Sequence, residues 1–362
     1  MLFKLFKTQK GSGLIEYQIA AIVGIMTIAA VSSFAPVLRG MYDRASIIIE
    51  TGGNLESRII MEDVGVIDPQ EELPPPVTIA MRYACFNEGL VAAGETSINS
   101  QNHFGTGFCL HGNEGVWLRN NNYFAYGSVV STSDADNFNI VNLEKNEGLE
   151  EALQIAKLDI QVNETLVDAF AHLIDPTRNG RPSYLDPNAS VIQLSNRKIK
   201  GKDLQSGRVH SLACKGNQAL DLSSVSTLSN LALITNCRIH LNSNVLITNA
   251  VLGTTSTANN AVQIASNLQI GTDDNCTNGG GGQILSLGDV KVASQMGIYG
   301  GHIVSAGDIK VTSQIDGQGA LLLAGGDLSG TSNITMLSCN GVGQEDNVVM
   351  TWWELVLEYF SS

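Results

Sequence analysis

Charge is scarce in this chain, and positive charge is scarcest. Only 15% of its 362 residues are Asp, Glu, Lys or Arg, with Lys+Arg 21 against Asp+Glu 35 and a formal net charge of -14. Without a broad cationic surface to hold phosphates, nucleic acid is excluded as a general partner. The one dense basic cluster beyond the first residues, Arg197-Lys198-Ile199-Lys200-Gly201-Lys202, is short enough to be a solvated loop. Catalytic and cofactor signatures are missing as well. There is no Gly-x4-Gly-Lys-Ser/Thr, no Gly-x-Ser-x-Gly and no dinucleotide fingerprint on a strand–helix turn. No Cys-x-x-Cys occurs, and His103, His111, His172, His210, His240 and His302 show no metal-ligand spacing. The sequence therefore predicts no enzyme, no cofactor and no metal.

Charge is absent altogether between Glu16 and Arg39. Gln18 to Leu38 is long enough as a helix to cross a bilayer, for which roughly 20 apolar residues suffice. Lys4, Lys7 and Lys10 precede it, and positive residues stay cytoplasmic, so the rest of the chain is expected to face outward. Glu16 stands at the start of the apolar run, where an ionised carboxylate is costly unless it finds a partner. An uncleaved signal anchor with a chance Glu is the plain alternative. A secretory signal cut after Ser33-Phe34-Ala35 is disfavoured by Pro36.

Gly11, Ser12-Gly13-Leu14-Ile15 and Glu16-Tyr17 together resemble the processing site of type IV prepilins, and the Glu-Tyr pair resembles the Flp subfamily of the tight-adherence (Tad) pilus system. The resemblance covers about residues 4 to 48. It implies that a prepilin peptidase cuts after Gly11, that Ser12 becomes the mature N-terminus, and that Glu16, beside Tyr17, is the assembly contact with a neighbouring subunit. Flp pilins are tiny and this chain is large, so the resemblance implies a minor or tip subunit rather than the main one. Two further stretches, within residues 77–145 and from Cys214 to Asn244, resemble the extracytoplasmic parts of TadE/TadG-like pilus-assembly proteins.

Six cysteines outside the cytoplasm suggest disulfides, and six allow 15 pairings. Cys85 with Cys109 and Cys214 with Cys237 are favoured because each pair is local, which leaves Cys276 with Cys339 by elimination. In chain order we expect a leader (1–11), a transmembrane or pilin helix (12–50), a proline-rich linker (51–76) and a β-rich unit or first solenoid coils (77–145). A helical insertion with loops (146–203), a parallel β-helix (204–341) and a C-terminal cap (342–362) complete it. Within the insertion, Leu149, Leu153 and Ala156 share one helical face and Leu166, Phe170 and Leu173 another, which reads as a helical hairpin. The apolar, aromatic tail Asn347 to Phe360 reads first as a cover for an open solenoid end, second as a partner-docking segment.

The β-helix expectation rests on a repeat. QILSLGDVKVASQM (283–296), HIVSAGDIKVTSQI (302–315) and LLLAGGDLSGTSNI (321–334) align without a gap at a period of 19. Units this short cannot bury a face alone, whereas stacked units share one. The fold class is therefore mainly β, an N-terminal hydrophobic α-helix followed by a right-handed parallel β-helix. Gln295, Gln314 and Asn333, and Ser294, Ser313 and Ser332, are expected to form ladders along the axis. Asp289, Asp308 and Asp327 form a column at a turn, where each Asp is expected to bond its own backbone; the weaker reading is a calcium or catalytic column. Lys291 and Lys310 stack and are expected to face solvent.

These readings converge on assembly and display: a pilin-like subunit held in the inner membrane and then in a pilus at the cell surface. Its partners would be the prepilin peptidase, other pilin subunits and pilus-assembly proteins, and a surface glycan or protein receptor. Two alternatives are a membrane-anchored assembly factor that never enters the fibre, and a surface β-helix enzyme acting on polysaccharide.

Overall fold

The 19-residue repeat is the stacking unit, and each copy contributes three short strands. Gln283–Ser286, Val290–Val292 and Met296–Tyr299 form one coil; His302–Ser305, Ile309–Val311 and Ile315–Gln318 the next; Leu321–Ala324, Leu328–Gly330 and Ile334–Leu337 the third. Equivalent strands pair in parallel, with Gln283 opposite His302 and His302 opposite Leu321. The coils thus build a three-sided parallel solenoid, whose sides we name A, B and C in the order the chain meets them. The computed structural model describes residue 85 and residues 88–175, 181–216, 218–272 and 281–337. All of them belong to one unit, Leu73–Ser362. The N-terminal apolar run, the proline-rich linker and the aromatic tail lie outside the described residues.

Alternation decides what faces inward. Val290 and Val292 on side B, and Met296 and Ile298 on side C, point into the coil and are buried, as are Ile284, Ile303 and Leu322 on side A. The corner from C to A turns through left-handed backbone: Asn230, Asn249, Gly300 and Gly319 have φ of 52°, 46°, 59° and 60°. Only Gly and Asn adopt that region cheaply, which accounts for their recurrence along the sequence.

The coils do not stack in chain order. Along side A the strands run Ile192–Leu194, Val209–Leu212, Thr227–Thr235, Val245–Thr254, then the three repeat strands. The strand after Leu321–Ala324 is Gly89–Ala92, followed by Cys109–Gly112, Val129–Thr132 and Leu153–Ile155. Residues 89–155 are therefore coils of the same solenoid, and they continue it beyond the C-terminal repeats. Sides B and C close the same seam, with Thr96 opposite Leu328 and Phe104 opposite Met336. One apolar cluster runs through both segments, from Leu90 to Met336, and includes the stacked rings of Phe104 and Phe108 at 4.6 Å.

Two polar ladders cross the seam. Asp289 Oδ1 accepts the Asp308 N–H at 3.1 Å, Asp308 Oδ1 accepts the Asp327 N–H at 2.9 Å, and Asp327 Oδ1 accepts the Glu95 N–H at 2.8 Å. Each Asp therefore bonds the backbone of the next coil rather than its own. The Gly before each donor makes the space: a Cβ on Gly307, Gly326 or Gly94 would collide with the carboxylate of Asp289, Asp308 or Asp327. The second ladder is asparagine. Asn102 Oδ1 accepts the Ile334 N–H at 2.8 Å, Asn122 Oδ1 accepts the Asn102 Nδ2–H at 2.9 Å, and Asn146 Oδ1 accepts the Asn122 Nδ2–H at 3.1 Å. The expected glutamine ladder does not form, because Gln295 and Gln314 are exposed and the rung between their coils is the Met296 N–H to the Gln314 carbonyl, 3.1 Å. Ser294 instead donates to Asn267 Oδ1 at 3.3 Å.

The expected helical hairpin is also replaced. Leu149–Ala152 is a single helical turn, and the chain then extends as Leu153–Ile155 to pair with side A. Among the described residues only Val162–Ile174 is a full helix. Val162, Leu166, Ala169, Phe170 and Leu173 form its buried stripe, at the helical spacing expected for Leu166, Phe170 and Leu173. The stripe covers the outside of side A, burying Val91, Val209, Ile234, Val251, Leu285, Val304 and Leu323 in a second apolar layer. A strand covered on both sides reads as an unbroken apolar run, as Leu321-Leu322-Leu323-Ala324 does.

Replacing Asn122 by Ala strands two buried donors, the Asn102 N–H and Nδ2–H, which both bond Asn122 Oδ1. At about 1–3 kcal/mol per unsatisfied buried group, we expect a loss of about 3 kcal/mol in urea unfolding. Gln314→Ala, at an exposed rung, should stay within about 0.5 kcal/mol of wild type in the same assay.

Candidate functional site

Side C carries a groove large enough to seat a small ligand. Its floor follows from register: Leu246, Gln269, Gly297 and Asp316 are consecutive outward positions on neighbouring coils. Gly297 brings no side chain to that column, and Tyr299, two positions on, points outward and takes the space. A Cβ on Gly297 would sit 3.0 Å from Tyr299 Cε2, so the ring leans over the glycine. Tyr299 donates its hydroxyl to Asp316 Oδ2 at 3.3 Å, which fixes ring and carboxylate together. Asn244, Asn267 and Gln295 stand along the adjoining corner, and the open volume is about 580 Å³. The only charged lining group is Asp316. What this surface offers is one aromatic ring, several planar amides and one carboxylate, with the apolar Leu268 and Met296 side chains buried beneath.

The structure joins Cys85 to Cys109 and Cys214 to Cys237, with Cα atoms 4.8 and 5.2 Å apart. Each pair links neighbouring coils or the segment entering them, as the local pairing predicts. Cys276, Cys339, Gly11, Ser12, Glu16 and Tyr17 lie outside the described residues. Asp289, Asp308 and Asp327 do form a column, and their carboxylates serve the ladder. Among the described residues no group of three or more His, Cys, Asp or Glu is placed to hold a metal ion. Likewise no helix among them is long and apolar enough to cross a membrane. Lys291 and Lys310 lie side by side on the outside of side B. Sequence reasoning missed the groove; its sole trace there is Gly297, small where the aligned positions of the other repeats carry Asp316 and Thr335.

One constellation resembles catalytic machinery and is not placed to act as such. His111 Nδ1 lies 2.8 Å from Ser131 Oγ, and His111 Nε2 lies 2.9 Å from Asn113 Oδ1. Both His111 and Ser131 are fully buried, so the hydroxyl cannot meet a substrate. Asn113 also accepts the Leu158 N–H at 3.0 Å and donates to the Leu158 carbonyl at 2.8 Å. The cluster thus fastens the segment leading to the helix onto side A.

Burial lowers the His111 imidazole to about 4, against opposing hydrogen bonds from Asn113 and Ser131, and burial alone lowers His302 to about 4. Both are neutral in the fold and must take up protons on unfolding below the ordinary value of 6.5. Their contribution is therefore complete above pH 6.5 and lost as pH falls through 6.5 toward 4, at about 3 kcal/mol per histidine. Urea unfolding between pH 7.5 and 4 should show that fall, and His302→Leu should flatten it by about half.

Neither a curated protein nor a solved structure matches the chain. The family model of a domain of unknown function, DUF7867, matches residues 89–340. That span opens at the first strand of the N-terminal coils and closes just past the last C-terminal one, so it takes in both segments that meet at the seam. Since it covers more than half of the 362 residues, the chain belongs to the DUF7867 family.

Proposed function

We propose that this chain is a pilin-like minor or tip subunit of a Tad/Flp type IV pilus, which displays its solenoid for adhesion or surface interaction. The observation that carries the reading is Gly11-x4-Glu16-Tyr17 ahead of an uncharged run, on a chain whose described residues form a disulfide-stapled solenoid. In this reading a prepilin peptidase releases Ser12 as the mature N-terminus. Residues 12–50 form a hydrophobic helix held first in the inner membrane and then among other pilin subunits. Glu16 neutralises a neighbour's N-terminal amine, a partner that offsets the cost of a carboxylate in the bilayer. The solenoid winds right-handed, the hand that parallel crossovers strongly prefer. Two disulfides suit an oxidising compartment outside the cytoplasm. The role is binding rather than catalysis: the Asp column is occupied with main-chain N–H groups, and the open groove on side C is the surface a partner would meet.

Intact mass and N-terminal sequencing of the protein from its own host, with and without the prepilin peptidase, test the first step. A start at Ser12 that requires the peptidase is expected; an intact Met1, or a start near Pro36, would overturn the pilin reading. Glu16→Ala should leave cleavage intact and remove the protein from sheared pili. If its function survives that change, the protein is an anchored assembly factor.

A further inference from the structure

We propose that the side C groove binds a neutral, hydroxyl-rich saccharide, with Tyr299 as its platform and Asp316 and Gln269 as its hydroxyl-binding groups. This rests on the adhesive reading above and names the ligand class for it. The volume of about 580 Å³ lies inside the ~300–1,000 Å³ range of small-ligand clefts. Composition then selects the ligand. The lining holds one carboxylate and no cation, on a chain of net charge -14, so an anionic ligand such as a phosphate, a sulfate or an acidic sugar is repelled. A purely apolar ligand could cover Leu246 and the Tyr299 ring but would leave Asp316 and the amides of Asn244, Asn267, Gln269 and Gln295 without partners. What remains is the chemistry of uncharged hydroxyls.

A carboxylate accepts from two neighbouring hydroxyls, and a planar amide donates to one and accepts from another. Both kinds of group flank Gly297, one coil to either side: Gln269 before it and Asp316 after it. With strands about 4.8 Å apart, the two groups are about 9.6 Å apart along the axis, with Gly297 and the Tyr299 ring over it between them. A sugar ring seated between them meets the Tyr299 ring, which lies over the glycine. An aromatic ring gives a large, rigid contact to the C–H face of a sugar while its own hydroxyl stays bonded to Asp316. Gln269 donates one N–H to the Gly271 carbonyl at 3.1 Å, which holds its amide over the groove with its carbonyl oxygen left as an acceptor.

The test uses the full-length chain in a zwitterionic, sugar-free detergent. Glucose, galactose, mannose and N-acetylglucosamine tetrasaccharides, and sialylated and sulfated counterparts, are screened by saturation-transfer NMR and titrated by calorimetry. At least one neutral oligosaccharide should bind and its acidic counterparts should not. Tyr299→Ala should weaken binding by about tenfold or more, a difference of about 1.4 kcal/mol. Gly297→Gln, whose side chain pushes the Tyr299 ring from its seat over the glycine, should abolish it. Urea midpoints of both variants should match wild type, since neither side chain belongs to the core. Binding to none of the neutral sugars, a preference for the acidic ones, or affinity unchanged in both variants would overturn the proposal. Those results leave cleavage at Ser12 untouched, whereas an uncleaved N-terminus with sugar binding retained would remove the pilin reading alone.

Discussion

The parallel pairing of Gly89–Ala92 with Leu321–Ala324 joins stretches of chain 232 residues apart, and the rest of the structure hangs on it. Without it both segments would end in open strand edges, and both ladders would stop at the seam. Closing a loop of that length costs about 2 kcal/mol more than closing the 19-residue loop between adjacent repeats, because the entropy grows only with the logarithm of length. Burying Leu90, Ile98 and Phe104 against the C-terminal coil offsets that several times over, at about 1.5–3 kcal/mol for each side chain. The penalty is kinetic. Contacts this distant in sequence form late, and each half waits for the other.

Winding in this order requires the chain to travel back along the stack, and the helix Val162–Ile174 is the return path. It leaves from Leu158, which Asn113 anchors on the N-terminal coils, and it passes Gly253, where Phe170 Cε1 would lie 2.5 Å from an added Cβ. Its 13 residues cover about 20 Å, or about four coil spacings. That passage is why side A is apolar on both surfaces, and why His111 and His302 end up in dry surroundings. The disulfides secure two places that this arrangement leaves weak. Cys85–Cys109 ties down the chain entering at the seam, and Cys214–Cys237 ties the first C-terminal coils together before the repeat becomes regular.

How much of this was legible in the sequence divides along the range of the signal. The repeat at residues 283–334 exposed its own stacking, because equivalent positions recur at a fixed spacing. The helix stripe through Leu166, Phe170 and Leu173 was legible for the same reason. The seam was not: nothing local marks Gly89–Ala92 as the neighbour of Leu321–Ala324, and chain order suggests the opposite end. The asparagine ladder escaped because Asn102, Asn122 and Asn146 are 20 and 24 apart, with loops of unequal length between them. The hairpin failed at Leu153, whose helical spacing was overridden by the open edge of Val129–Thr132 that it pairs with. Asp289, Asp308 and Asp327 were legible as a turn column but not as a ladder, since the acceptor's partner is set by stacking alone.

The groove illustrates what the period of two does for a solenoid of this kind. On Met296–Tyr299 the inward pair, Met296 and Ile298, belongs to the common core, while the outward pair, Gly297 and Tyr299, touches only its neighbours on the surface. Stability is held by one set of positions and surface chemistry by the other, interleaved along the same strand. Side A has spent its outward set on the helix, and side B presents Lys291, Lys310 and Ser329 in a mixed polar row. Side C is where the outward column combines a ring seated over a glycine with hydrogen-bonding groups. Because those residues carry little of the core, that column can change its side chains without changing the fold.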